Sequence, residues 1–212
     1  MLDDFNQRVR SDFSRARFKA FMNRLRHALN GQPGTLLSYE EVKEKLKIGG
    51  PIYMGVQVVA IGKIAGSLNR YHQFDRAFLP LEDNLAHRWE NIDRAFYQEV
   101  NLPPVVLYKV GEVYFVVDGH HRVSVAREQG QEFIDAEVRE CHSKVSLTAD
   151  IKLEDLEILG EKVNFLERTS LDHIRPKAAV ESSIPGGFDR ILEHIAVHRY
   201  FMGLDLQRDI DD

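Results

Sequence analysis

The chain has 212 residues, of which 43% are hydrophobic and 29% charged, and its formal net charge at pH 7 is -5. A chain of this length and composition can bury one good core, and it holds no apolar run long enough to cross a bilayer. The net negative charge argues against a broadly basic surface that binds nucleic acid. The single cysteine, Cys141, excludes an internal disulfide. We therefore expect a cytoplasmic protein that does not enter a membrane.

The first predicted element is a long amphipathic helix over 5–29. Its apolar residues recur every three to five positions, and basic side chains stand between them. The pattern favours a solvated face on a helix that packs against the core or against a second copy of the chain. Contact with DNA phosphates is the alternative. The candidate DNA contacts are Arg15, Arg17, Arg24 and Arg26.

A break and the first strand follow this helix. The Gly-Gln-Pro-Gly sequence at 31–34 predicts a turn, after which Ser38 is expected to cap a short helix that runs to Lys47. The β-branched segment 52–61 lies between glycines and predicts the first strand or hairpin of an α/β core.

The next segments predict a loop and a helix. The polar and aromatic segment 71–80 either closes over a bound ligand or packs its aromatic side chains on the core. The segment 83–100 has helical apolar spacing, which makes Trp89 a core residue rather than a platform for stacking a base.

The segment 113–130 carries the clearest functional pattern. A buried strand over 113–117 runs through Asp118 and Gly119 into a helix that begins His120-His121-Arg122. The first backbone N–H groups of a helix lack intrahelical partners and lie at the positive end of its dipole, so they attract anions. A glycine lets the backbone approach a phosphate, and an arginine can bind one bidentately. A surface turn with Asp118 as helix cap is the alternative.

The order of elements around this corner resembles a known core. A Pro-Pro pair opens a strand over 102–110, and the second strand, the corner, its helix and a returning strand over 134–138 follow. This order is similar to the core shared by ParB partition proteins, sulfiredoxin and the ADP-dependent free serine kinases. The resemblance implies an α/β (α+β) fold with a small mixed-sheet core. It also implies a second phosphate contact from the loop after the first strand, which here holds Ser67 and Arg70.

The resemblance suggests three units. These are an N-terminal helical extension over 1–50, the nucleotide-binding core over 51–145 and a helical C-terminal extension over 146–212. In the C-terminal unit, 153–166 and 188–201 predict helices, and the second of these is either a dimer contact or a lid. His194 and His198 lie four residues apart, but two histidines without a third ligand do not define a metal site.

Departures from the relatives narrow the expected activity. Sulfiredoxin needs a cysteine where this chain has His120, so we expect no sulfiredoxin activity. ParB proteins usually have Gly-Glu-Arg-Arg at the corner and a DNA-reading domain after it, and neither feature is found here. The Asp-Gly-His-His-Arg sequence is closest to the free serine kinase version.

These observations favour a ParB-like module that binds a nucleotide and has a regulatory or DNA-associated role. Its phosphate-binding residues are expected to be Ser67, Arg70, Gly119, His120, His121 and Arg122. The ligand is ATP, ADP or CTP with Mg²⁺, which Asp118 could position. The alternative is a small-molecule kinase in which Asp118 or Asp75 accepts a proton. A nuclease is disfavoured because the corner offers one carboxylate, and a homodimer is left open.

Overall fold

The structure is a computed structural model that describes residues 2–30, 34–148, 151 and 153–210. The predicted turn at 31–34 therefore falls mostly outside the described residues. The described α-helices are α1 (Leu2–Asn30), α2 (Tyr39–Leu46), α3 (Ala86–Tyr97), α4 (His120–Glu128), α5 (Leu153–Thr169), α6 (Leu171–Ile174) and α7 (Gly187–Leu206). The described strands are β1 (Leu37–Ser38), β2 (Pro51–Ala60), β3 (Ile64–Ser67), β4 (Val105–Val110), β5 (Val113–Asp118) and β6 (Phe133–Cys141). The predicted mixed-sheet α/β class is confirmed.

The strands form one mixed sheet in the order β1-β3-β5-β4-β6-β2. Strands β3 and β5 are parallel neighbours, whereas β4 and β5 form an antiparallel pair joined by a turn at Gly111. Strand β6 returns parallel to β4, and β2 pairs antiparallel with β6 at the edge. Because β3 and β5 run in the same direction, their carboxyl ends meet at one edge of the sheet, where α4 begins.

The sheet separates two apolar cores. One contains Trp89 of α3 and Val123 of α4, and Phe13 of α1 packs on Trp89 with ring centroids 5.6 Å apart. The other contains Phe115 of the sheet and Leu156 of α5. The prediction that Trp89 is a core residue is confirmed, and its indole N–H donates to Ser124 Oγ at 2.9 Å.

Both predicted extensions share these cores with the segment 51–145. Strand β1 adds to the sheet edge beside β3, and Ser38 caps α2 as expected, since its side chain accepts the Glu41 backbone N–H. The unit boundaries after residues 50 and 145 stay predictions. Among the described residues, none of the helices combines the length and the apolar character needed to cross a bilayer.

Candidate functional site

Gly119 makes the turn from β5 into α4. Its φ of +95° lies in the left-handed region, and a Cβ placed there would lie 2.6 Å from Val105 Cγ1. Gly119 occupies the N-cap position of α4 and no side chain caps the helix there, so Asp118 does not act as a cap. The first N–H groups of α4 have no intrahelical acceptor, whereas the Val123 N–H already donates to the Gly119 carbonyl.

The predicted second phosphate contact lies beside this helix start. Ser67 ends β3 and is fully buried, with its Oγ 2.8 Å from His120 Nε2. The same Oγ accepts the backbone N–H of Arg70 at 2.9 Å. The structure therefore brings Ser67, Arg70 and His120 together, but it uses the Ser67 hydroxyl to fasten the β3 loop to α4.

His121 is buried without a hydrogen-bond partner. It is 7% exposed, and neither ring nitrogen has a partner among the described residues. The Phe74 ring contacts it edge-on, with centroids 5.4 Å apart. A buried polar group left unsatisfied costs about 1–3 kcal/mol, so such a group is often retained for a function.

Burial lowers the pKa of both histidines to about 4. For His120, desolvation is the largest cause, followed by the positive charge of Arg70. For His121, desolvation is followed by the charges of Arg88 and Arg70. Both imidazoles are therefore neutral near pH 7, and any role there is that of a neutral donor or acceptor.

Arg88 is a member of this cluster that the sequence did not reveal. It lies on α3, directly before the buried Trp89, and its charge acts on His121. Nothing local marks Arg88, because its proximity to the corner arises only when α3 packs against α4. Arg70 and Arg88 together make the environment of the histidine pair positive.

Arg122 is engaged within the protein. Its guanidinium donates to the Pro103 carbonyl, to the Pro104 carbonyl at 2.9 Å and to Asp118 Oδ2 at 2.7 Å. The Asp118 side chain is 73% exposed, so most of the carboxylate faces solvent. Arg122 thus joins the corner to the segment that opens β4, and a phosphate would compete with Asp118 for its N–H groups.

Asp75, the second candidate for a catalytic carboxylate, is held by hydrogen bonds within the protein. It is buried, and its Oδ1 accepts the backbone N–H groups of Ala77 and Leu79 at 2.9 and 2.8 Å. Asn23 of α1 donates to Oδ2 at 3.1 Å, and desolvation raises the pKa of Asp75. These bonds hold the 71–80 loop in place.

The same loop covers the histidines. Phe74 and Phe78 are fully buried, so the loop packs its aromatic side chains on the core, as one of the two interpretations proposed. The Phe74 ring also stacks on His120 with centroids 6.1 Å apart. Entry of a ligand to either imidazole therefore requires movement of this loop or an approach from the Gly119 side.

A cleft of about 620 Å³ lies next to the corner rather than within it. Apolar side chains of α3, α4 and β6 line it, and Arg122 contributes at its wall. Ser67, Arg70 and the two histidines are not among its lining residues. The described residues also contain no group of three or more His, Cys, Asp or Glu side chains that could hold a metal ion.

The candidate DNA contacts fall into two pairs. Arg15 forms ion pairs with Asp12 at 2.6 Å and Glu128 at 3.0 Å, and Arg17 pairs with Asp83 at 2.9 Å. Arg24 and Arg26 lie exposed in the second half of α1. Arg15 and Arg17 thus hold α1 against the core. DNA contact stays a prediction, and Arg24 and Arg26 are the residues that could make it.

Comparison with known proteins gives one distant similarity. This chain matches no protein-family model and no curated protein sequence. It is similar to the crystal structure of sulfiredoxin from Arabidopsis thaliana, with a TM-score of 0.32 and 17% sequence identity over 41% of this chain and 86% of that chain. Both values are too low for the similarity to carry an argument about family or function, so the interpretation of the corner depends on its own residues.

Proposed function

We propose that the start of α4 binds the phosphate groups of a nucleotide, and that the protein is a nucleotide-binding regulatory module. The observation that carries this proposal is the buried imidazole of His121, which has no hydrogen-bond partner in the part of the chain that the structure describes and lies in the first turn of α4. A phosphate supplies acceptors for unpaired N–H groups at a helix start, and a neutral imidazole can donate to it.

The charges around the corner support an anionic ligand. Arg70 and Arg88 both act on the histidine pair, where their charges disfavour protonation of His121. A bound phosphate would balance these guanidinium charges and could accept charge-assisted hydrogen bonds from them. ATP, ADP and CTP are the nucleotides to consider, and exposed Asp118 could hold a Mg²⁺ ion that is otherwise bound by phosphate oxygens and water.

The regulatory role rests on the position of the corner. Ser67, Phe74 and Arg122 connect it to β3, to the 71–80 loop and to the start of β4. A ligand that bonds to the first turn of α4 would bias the arrangement of all three segments. The resemblance of the corner residues suggests a protein of the partition or transcription-regulator type, with DNA as the partner of α1.

A kinase of the free serine kinase type is the second candidate. The exposed carboxylate of Asp118 favours it, because an acid beside a bound donor phosphate could accept the proton of an acceptor hydroxyl. Turnover by the wild type separates the two candidates, and Asp118→Asn tests the role of the acid. In a kinase this variant binds nucleotide but loses turnover, measured as nucleotide consumption with free serine as acceptor, and in a binding module the wild type shows no turnover.

Isothermal titration calorimetry with ATP, ADP and CTP in Mg²⁺ tests the binding proposal. We expect saturable binding of one nucleotide, and Arg70→Ala should weaken it by about 10- to 100-fold, the range for one charge-assisted hydrogen bond. Arg10→Ala, an exposed arginine of α1, is the matched control and should leave the affinity unchanged. If the wild type binds none of the three, or if both variants bind equally well, the phosphate site is refuted.

A further inference from the structure

Two buried carboxyl groups lie where α1 packs on α3. Asp12 of α1 is 4% exposed and Asp93 of α3 is 0% exposed. Asp12 Oδ1 accepts a hydrogen bond from Arg15 Nη2 and Asp12 Oδ2 accepts one from the Tyr97 hydroxyl, both at 2.6 Å. Asp93 Oδ1 accepts from Gln129 Nε2 at 2.7 Å, whereas Asp93 Oδ2 has no partner in the part of the chain that the structure describes. One buried carboxyl oxygen is therefore left without a hydrogen bond.

Asp12 becomes a partner for this oxygen when Asp93 holds a proton. The pKa of Asp93 is raised to about 6 by desolvation, by the charge of Asp12 and by a hydrogen bond to Asp12. Gln129 and Arg15 act on this pKa in the opposite direction but do not cancel the rise. Two carboxyl groups can share a hydrogen bond only if one is protonated, because ionised carboxylates are acceptors only. The proton belongs to Asp93, since the two hydrogen bonds that Asp12 accepts favour its charged form.

The charges around the two aspartates balance only while Asp93 is protonated. Arg15 pairs with Asp12 and with Glu128, and Lys19 also pairs with Glu128 at 2.9 Å. Two cations thus meet two anions, and neither of these cations is left to neutralise a charged Asp93. The charged and titratable groups that surround the two aspartates are Arg8, Arg15 and Lys19 of α1, Tyr97 of α3 and Glu128 of α4.

The apolar contact that α1 makes is small for a helix of 29 residues. Its buried apolar side chains, among those that the structure describes, are Val9, Phe13, Ala16 and Ala20. Two of these are alanines, and on the other side of the helix Phe18 and Leu25 are 64% and 47% exposed. Stabilisation grows with the apolar area removed from water, so this packing leaves α1 sensitive to the state of one buried carboxyl group.

We propose that a proton on Asp93 latches α1 onto α3 and α4, and that loss of this proton as the pH rises loosens α1. With the proton in place, Asp93 donates to Asp12 and the cluster is neutral. Without it, two carboxylates face each other in a buried contact and one oxygen has no donor, which is unfavourable. Opening of α1 relieves this charge, because Asp93 then meets water on the surface of α3.

The direction of the pH effect depends on the two states of Asp93. When α1 is docked, the pKa of Asp93 is about 6, and when α1 is open this pKa returns toward its ordinary value of about 4. A carboxyl group whose pKa is raised by docking stabilises the docked state most at acid pH, and this contribution is lost as the pH rises through about 6. Helix α1 is therefore held more tightly at pH 5 than at pH 7.5.

Hydrogen exchange of the full chain, measured by mass spectrometry between pH 5 and pH 7.5, tests the latch. After correction for the intrinsic exchange rate, the open population of α1 should rise by about 10-fold over this range, as the change in the Asp93 pKa requires. The amides of β5 report opening of the sheet, and they should not share this rise.

Two substitutions separate the latch from a general effect of pH. Asp93→Asn keeps the shape of the side chain and can donate to Asp12 without titrating, so the exchange of α1 should no longer depend on pH. Asp12→Asn removes the facing charge and should make the rise smaller. Asp189→Asn, at an exposed position in α7, is the matched control and should keep the 10-fold rise. A wild type in which the opening of α1 does not change with pH overturns the proposal, and so does a rise that persists unchanged in Asp93→Asn or in Asp12→Asn.

Discussion

At the scale of the residue, the corner depends on the backbone of Gly119. Its φ of +95° disfavours any L side chain. In addition, a Cβ at this position would lie 2.6 Å from Val105 Cγ1, which leaves no room for a methyl group. Gly130, just after α4, also has a positive φ of +75°, but nothing lies within 4 Å of its Cβ position. Comparison of the two glycines therefore separates the effect of backbone strain from the effect of a steric clash.

We expect Gly119→Ala to destabilise the protein more than Gly130→Ala. The alanine at 130 should cost about 1–2 kcal/mol of unfolding free energy, the ordinary penalty of the left-handed region. The alanine at 119 should add a clash with Val105 and cost about 2–4 kcal/mol. Urea denaturation of both variants measures the difference, and equal losses would show that the approach to Val105 is not a constraint.

At the scale of the element, the ion pairs of α1 lie between Asp12 and Lys19 and fasten the helix to the rest of the chain. Arg15 and Lys19 both donate to the carboxylate of Glu128 at the end of α4, and the Glu128 side chain is only 2% exposed. The Tyr97 hydroxyl donates to Asp12 at 2.6 Å, which links α1 to α3. These basic residues pair with Glu128 at the end of α4 and with Asp83 just before α3, whereas Arg24 and Arg26 are exposed farther along α1.

This division gives opposite expectations for the two arginine pairs. Changing Arg15 and Arg17 to Ala should lower the unfolding free energy by about 1–3 kcal/mol, because a buried carboxylate loses a partner. Changing Arg24 and Arg26 to Ala should leave stability within about 0.5 kcal/mol of the wild type. Thermal denaturation measures both.

The same variants test the DNA prediction. If α1 binds DNA, fluorescence anisotropy with a labelled duplex should show weaker binding for the Arg24 and Arg26 variant, together with a reduced dependence of affinity on salt. Equal binding by the wild type and that variant would exclude Arg24 and Arg26 as DNA contacts.

At the scale of the whole molecule, buried titratable groups couple stability to pH. The pKa values of His120 and His121 are about 4 in the folded protein, below the ordinary value of about 6.5. As the pH falls below about 6.5, the unfolded chain takes up protons first, so these groups lower stability down to about pH 4. Desolvation raises the pKa of Asp93 to about 6, which acts in the opposite direction over the same range.

We expect His120 and His121 to lower the unfolding free energy on acidification from pH 7 to pH 4.5, against the opposing contributions of Asp93 and Asp75, whose pKa values are raised by burial. His121→Leu should remove one contribution of at most about 3 kcal/mol and flatten the pH profile. At pH 7 the same change should be neutral or stabilising, since it removes an unpaired buried polar group. Urea denaturation at several pH values measures both effects, and His142→Gln at an exposed position is the control. An unchanged slope in His121→Leu would contradict the assigned titration.

Sequence patterns alone determined the elements and their order. Period-two apolar segments, glycine turns and helical spacing are local signals, so they predicted the strands β4, β5 and β6, the helix α4 at the corner and the burial of Trp89. They also singled out the segment 118–122, because a glycine between a strand and a helix is a local signal for a turn where an anion can approach the backbone. The mixed-sheet α/β class was implied by the resemblance of that order of elements to a known core.

Only the tertiary structure decided which side chains are available. Parallel pairing of β3 with β5 places Ser67 on His120, and helix packing brings Arg88 to His121, whereas Asp75, Arg15 and Arg122 are held by partners distant in sequence. Burial, pKa shifts and pairing depend on neighbours that meet only after folding. Periodicity along the chain cannot report them, so the sequence identifies a corner and its residue types, and the fold determines their charge and access.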